Sequence, residues 1–217
     1  MRDSAGRGGG LDLVVLLEAL QSVPEAYASA EQDRDHHRVH VVDEPGRKEF
    51  ADHGGTSADA YVLAVRGLGG QDTADRVAAA LRASLPDPAA ILPASLRRGD
   101  PAGYQSHLLY AEPDGSFSIS AMVWMPGQQT MIHDHVAWCV TGVLQGREYE
   151  EIFALADGGR ALRLAARNVN PAGAVSGFAP PGDIHRVRNV SETTAISIHI
   201  YGTDITRIGS SARRYYD

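Results

Sequence analysis

From about Tyr104 onward, apolar and polar residues change places at nearly every step, and Gly, Pro and Asn close each short run. Such alternation puts one side of an extended strand in a core and the other side elsewhere, so the second half of this chain must be built from strands. Candidate strands cover 106–111, 116–124, 137–144, 148–155, 161–167, 174–179, 184–189 and 194–201. Short strands at that spacing are the pattern of an all-β barrel or jelly roll. Before Tyr104 the period is helical. Residues 11–30 carry Leu, Val and Ala at helical spacing. Asp72 to Leu85 predicts a second helix, with Thr73 as a cap, Val77, Leu81 and Leu85 as an apolar stripe, and Pro86 after its end. Residues 1–10 are Gly-rich and polar, which predicts disorder, and 31–57 is a polar stretch with turns at Pro45-Gly46 and Gly54-Gly55. Two parts are therefore expected: 1–100, a segment partly helical and partly disordered, and 101–217, a β barrel with a C-terminal tail.

Composition narrows the partners. The 217 residues are 43% hydrophobic and 22% charged, ordinary values for a globular domain with a buried core. A net charge of −7 with no Lys/Arg-rich run argues against nucleic acid or an anionic membrane as partner. The single cysteine, Cys139, excludes an intramolecular disulfide and is compatible with a cytoplasmic location. The apolar run Leu11 to Leu17 is too short to span a bilayer. Arg2 and Arg7 precede it, but Glu18 and Gln21 follow closely, which argues against a signal peptide.

Of the nine histidines, His36, His37, His40 and His53 fall in the polar N-terminal stretch and are expected to be solvated. His133 and His135 stand at i and i+2, so on a strand both imidazoles share one face, while Asp134 turns away. A bare His-x-His is a weak signal, but the flanks add to it. Gly127, five residues, His133-Asp134-His135, three residues, Cys139, six residues, Gly146 resembles the first cupin motif, with Cys139 where a glutamate is usual. Pro180-Pro181-Gly182-Asp183-Ile184-His185-Arg186-Val187-Arg188-Asn189 resembles the core of the second, although Ala174 stands where a Gly is expected and Gly173 lies one place off. The two motifs in order imply a mainly β, cupin-type jelly-roll barrel with an N-terminal helical segment, and a metal held by His133, His135 and His185. Three neutral imidazoles without a carboxylate leave more positive charge on the ion. That favours an anionic ligand such as a thiolate and leaves room for dioxygen; iron suits such donors, and zinc, copper and nickel also accept them.

The run Thr194 to Tyr201 alternates strictly. Ile196, Ile198 and Ile200 share one face, and Ser197, His199 and Tyr201 share the other. The polar face either points into the barrel, where its groups can bond one another as a relay, or lies against solvent on an edge strand.

Taken together, Trp124-Met125-Pro126-Gly127-Gln128, the His133/His135 pair, Gly146, His185-Arg186-Val187 and Ser197-x-His199-x-Tyr201 resemble the cysteine dioxygenase family of thiol dioxygenases, which includes bacterial 3-mercaptopropionate dioxygenases. The likeness runs from about Tyr104 to Tyr201. It implies Fe(II) on His133, His135 and His185, a relay of Ser197, His199 and Tyr201, and conversion of a small thiol plus O2 to a sulfinic acid. It also implies that Cys139 occupies the position of the cysteine that mammalian members join to the active-site tyrosine, here Tyr201. In that family an arginine, or a glutamine in mercaptopropionate enzymes, meets the substrate carboxylate; the corresponding place is Ser106 or His107, with Gln105 beside it, and no arginine is present. Arg213 and Arg214 resemble a C-terminal arginine of the mercaptopropionate enzymes at a different spacing. Gln105, His107, Arg213 and Arg214 are therefore the candidate substrate contacts. Cysteine is the favoured substrate and 3-mercaptopropionate the alternative. A cupin oxygenase of a non-thiol substrate, a zinc or manganese isomerase or hydrolase, and a non-catalytic small-molecule-binding cupin are the other readings. The sequence does not set the oligomeric state.

Overall fold

The computed structural model of this chain describes residues 70–217. The expected helix at 11–30, the disorder expected at 1–10 and the histidines at 36, 37, 40 and 53 lie outside the described residues. Two five-stranded antiparallel sheets form the body. In chain order the strands are β1 (Gln105–Ala111), β2 (Ser118–Trp124), β3 (Ile132–His135), β4 (Cys139–Gln145), β5 (Arg147–Ala156), β6 (Ala161–Pro171), β7 (Val175–Phe178), β8 (Ile184–Asn189), β9 (Ala195–Tyr201) and β10 (Ala212–Tyr216). One sheet runs β1-β2-β9-β4-β7 and the other β10-β3-β8-β5-β6. The helices are α1 (Gly70–Ala83) and two single turns, α2 (Pro88–Ile91) and α3 (Ile205–Ile208). This is the mainly β architecture that the alternation predicts, with a helical segment ahead of it.

β9 is the middle strand of its sheet, and all its residues are buried. Its two faces do different work. Ile198 and Ile200 join Ile119, Val140 and Phe117 in a core completed by Ala74, Val77, Ala78 and Leu81 of α1. Ile196 packs with Leu92, Ala121 and Val123 beside that core. Each such aliphatic side chain contributes about 1.5–3 kcal/mol when removed from water. The opposite face of β9, with Ser197, His199 and Tyr201, is enclosed as well, so the edge-strand alternative for this run is excluded.

α1 begins two residues before the expected start and stops two before the expected end, so Thr73 sits within its first turn rather than capping it. Leu85 lies beyond the helix yet still packs against the same core. β3 is a four-residue strand, too short for its alternation to register outside the histidine pair. β10 lies outside the expected strands, because its Arg-Arg-Tyr-Tyr run has no apolar alternation to announce it. Among the described residues, no helix is long and apolar enough to cross a membrane.

The helix approaches the sheet closely at Gly177 of β7. A Cβ there would lie 2.9 Å from the Ala74 carbonyl oxygen and 3.3 Å from the Ala78 methyl. The first of these is backbone and cannot swing aside. Gly177→Val is therefore expected to lift α1 and lower stability by about 1–3 kcal/mol, read as a lower midpoint in urea unfolding. An unchanged midpoint would show that α1 does not seat on β7.

Candidate metal centre

β3 and β8 pair at one position, with His133 opposite His185. Alternation puts His135 on the same face as His133. The three rings come together with centroids 4.8 Å (133–135), 4.8 Å (133–185) and 5.1 Å (135–185) apart. One ring nitrogen from each lies within 4.8 Å of the others, and all three residues are buried.

Each ring is fixed from behind through Nδ1. His133 Nδ1 is 3.0 Å from the Met131 carbonyl oxygen, His135 Nδ1 is 3.1 Å from Asp183 Oδ2, and His185 Nδ1 is 2.8 Å from Glu150 Oε1. A carbonyl oxygen only accepts. Asp183 Oδ2 also accepts the His135 backbone N–H at 3.0 Å. Burial would raise the Glu150 carboxyl, but hydrogen bonds from His185, Asn168 and Asn170 hold it below its usual value, so it accepts too. The Nδ1 protons are thereby assigned, and each Nε2 is left as a lone-pair donor. Burial, reinforced by the neighbouring imidazoles, pushes His133 and His135 well below the usual imidazole value, which keeps both neutral. Three oriented imidazole nitrogens fit a first-row divalent ion.

The polar face of β9 borders the same cavity. Trp124 Nε1 donates to Ser197 Oγ at 3.1 Å, Ser197 Oγ lies 3.0 Å from His199 Nε2, and the Tyr201 hydroxyl lies 3.3 Å from His199 Nδ1. Burial, with His185 and His133 adding to it, pushes His199 down to about 3. Burial pushes the Tyr201 phenol well above its usual value, so both groups are neutral near pH 7. Cys139 and Tyr201 are direct cross-strand partners on β4 and β9. Opposed side chains at such a position have Cβ atoms about 4.5–5.5 Å apart.

The four candidate substrate contacts do not line this cavity. Gln105 turns its amide back onto the Gly103 and Tyr104 carbonyls at 3.1 and 3.4 Å. His107 is on edge strand β1, its Nε2 buried without a partner. Arg213 and Arg214 reach Asp134, which faces away from the imidazoles as alternation requires, at 2.5 and 2.6 Å, and Tyr216 donates to the same oxygen at 2.9 Å. A bulge between Ala212 and Arg214 lets two successive arginines meet one carboxylate. The arginines thus tie β10 to β3 and are engaged there.

Sequence reasoning missed what does line the cavity: Tyr104, which packs on Trp124 at 4.5 Å between centroids, along with Thr130, Phe178, Ser211 and Tyr215. Tyr104 stands one residue before Gln105, at a strand end where no motif marked it. It also missed Asp183, Glu150 and Glu148. Here a signal existed: Glu148 and Glu150 stand at i and i+2 of an expected strand and so share one face, and both are buried.

Among solved structures, the chain is similar to an oxalate oxidase in complex with glycolate (22% identity, 48% of this chain and 53% of that one, TM-score 0.39). It is also similar to the TT1209 protein of Thermus thermophilus (20%, 50% and 91%, 0.38) and to a cupin superfamily protein of Desulfitobacterium hafniense (17%, 52% and 90%, 0.38). The chain spans about half the length of the oxalate oxidase it matches. The family model described as cysteine dioxygenase type I matches residues 74–214, a span that takes in most of α1, strands β1 to β9 and the start of β10, with the three clustered imidazoles and the β9 triad. This chain belongs to the cysteine dioxygenase type I family.

Proposed function

We propose that this chain is an iron-dependent thiol dioxygenase that converts a small thiol, with cysteine favoured, and O2 to a sulfinic acid. The overall change balances as R–SH + O2 → R–SO2H. The observation that carries it is the set of three imidazoles, each held through Nδ1 by an oxygen, opening on the cavity that Tyr201 borders. Family membership supports the reaction class.

His133, His135 and His185 would hold Fe(II), which supplies a centre where a thiolate and dioxygen can meet. The protein's own part is orientation and proton handling. Met131, Asp183 and Glu150 keep the imidazoles in the ligating tautomer. Phe178, 5.0 Å from His135 and 4.9 Å from His185 between ring centroids, shields one side from water. Tyr201 offers a hydroxyl at the cavity wall, and His199 and Ser197 orient it. Cys139 beside Tyr201 favours cysteine over 3-mercaptopropionate. Tyr104, Ser211 and Tyr215 line the cavity that the rest of the substrate would occupy, and Arg213 and Arg214 do not.

The direct test is oxygen uptake by the iron-loaded protein with cysteine, 3-mercaptopropionate and cysteamine, with the product identified. Sulfinic acid with two atoms of label from ¹⁸O2 is expected, cysteine being fastest. His133→Ala, His135→Ala and His185→Ala should each lose most of the iron and the activity. No thiol-dependent uptake by fully loaded protein would overturn the reading.

In Glu150→Gln the amide oxygen can still accept from His185 Nδ1, but the negative charge is lost and the amide NH2 faces the Asn168 and Asn170 NH2 groups that donate to Oε2. Iron affinity is expected to fall about 10–100-fold, measured by competition with a chelator. Wild-type affinity in this variant would remove Glu150 from the site.

A thioether between Cys139 and Tyr201 is expected to form during turnover with iron and O2. Joining Sγ to the ring carbon removes two hydrogens, and O2 takes up the electrons. Peptide mass spectrometry should find the two strands' peptides linked and lighter by two hydrogens, and should find no link in Cys139→Ser. Absence of the link after exhaustive turnover would exclude it.

A further inference from the structure

Glu148 sits behind the β9 triad, and nothing in the proposed mechanism uses it. It is 3% exposed, its Oε1 has no hydrogen-bond partner, and the hydrogen-bonding group its carboxyl meets is the Ser197 hydroxyl. We propose that Glu148 is a positioning residue whose protonation sets the direction in which the Ser197–His199–Tyr201 chain donates its hydrogen bonds.

The argument is a count of donors and lone pairs. Ser197 Oγ has one proton and two lone pairs, and Trp124, which can only donate, occupies one lone pair. A neutral Glu148 carries one O–H, and burial without a partner is costly, so it donates to the second lone pair. The Ser197 proton must then go to His199 Nε2. Nδ1 carries the imidazole proton and donates to the Tyr201 oxygen, and the phenol proton is left for the cavity side, where Ser211 also stands. An ionised Glu148 reverses every step. Ser197 donates to the carboxylate, His199 Nε2–H donates to Ser197, and Nδ1 accepts the Tyr201 proton. In that state the phenol shows the cavity only lone pairs. His199 stays neutral throughout, so only its tautomer changes.

The surroundings place the change in an accessible range. Burial pushes Glu148 up to about 7, against the Ser197 hydrogen bond and with help from the negative charge of Glu150. Glu150 on β5 is the charged neighbour on the same face. β9 presents Ser197 and neutral His199, β2 presents Trp124, and the facing positions on β6 and β8 are Asn170 and Asn189. Arg147 and Arg188, next along β5 and β8, are exposed. Glu148 is therefore neutral on the acidic side and ionised on the alkaline side, and Tyr201 donates to the cavity on the acidic side.

The purpose of this switch rests on the thiol dioxygenase reading, but its test does not need turnover. ¹⁵N NMR of the full chain, loaded with Zn²⁺ as a diamagnetic stand-in, reports which His199 nitrogen carries the proton. Between about pH 6 and about pH 8 the wild type should pass from Nδ1–H to Nε2–H. Glu148→Gln, whose amide can donate to Ser197 but never ionises, should stay Nδ1–H across the range. Glu148→Leu, which leaves Ser197 only His199 to donate to, should do the same. On the iron-loaded protein, the ratio of kcat for Glu148→Gln to wild type should climb up to about tenfold per pH unit above about pH 7. A wild-type tautomer constant over the range, or a pH dependence that survives in Glu148→Gln, overturns the proposal whether or not the protein oxidises thiols.

Discussion

Everything at this centre depends on where three Nδ1 protons go. An imidazole offers a metal a lone pair only at the nitrogen that lacks a proton, so three acceptors on the far side of the rings decide what the near side can bind. The protein supplies them from three different places: a carbonyl just before β3, an aspartate two residues before β8's histidine, and a glutamate on β5. None could be moved by one register step without turning its ring. A slip of one residue in a strand sends every side chain to the opposite face. The sheet pairing β10-β3-β8-β5 is thus as much a part of the site as the imidazoles.

The same register argument explains Asp134. Set between two ligand candidates on a buried strand, it must face the other way and has no water to face. Burial would push its carboxyl up, but Arg213, Arg214 and Tyr216 hold it below its usual value. Removing one partner from such a buried charge costs more than the net worth of the pair, because the partner's loss leaves a desolvated charge behind. The two arginines that the sequence offered as substrate contacts are both bonded to this carboxylate. Their two guanidinium groups hold the last strand in place, and that strand brings Tyr215 and Ala212 to the cavity wall.

How much of this was legible depended on whether the signal was periodic. Alternation made most strands readable, and i, i+2 spacing brought His133 and His135 to one face. Strict alternation in β9 separated its isoleucines from Ser197, His199 and Tyr201. That strand is central rather than at an edge, however, and this follows from pairings with β2 and β4 that no local window contains. β10 failed to register because two charged and two aromatic residues follow Ala212 in it, and it pairs only with β3. Tyr104, just before β1, meets Ser211 and Tyr215, just before and within β10, from the other end of the described residues, and convergence of that kind leaves no local trace.

β9 also shows how the chain reconciles stability with chemistry. Its isoleucine face is sealed by α1 and contributes the aliphatic burial on which the sheet depends. Its polar face buries a hydroxyl, an imidazole and a phenol a few ångströms away, and such groups destabilise a core unless each finds a partner. Here they partner one another in a single line, with Trp124 donating to Ser197 from its side. A line of that kind has only two self-consistent directions of donation, because each member has one proton to give and one neighbour on either side. Whatever sits at its closed end therefore dictates what its open end presents to the cavity, and in this protein the closed end is a carboxyl group.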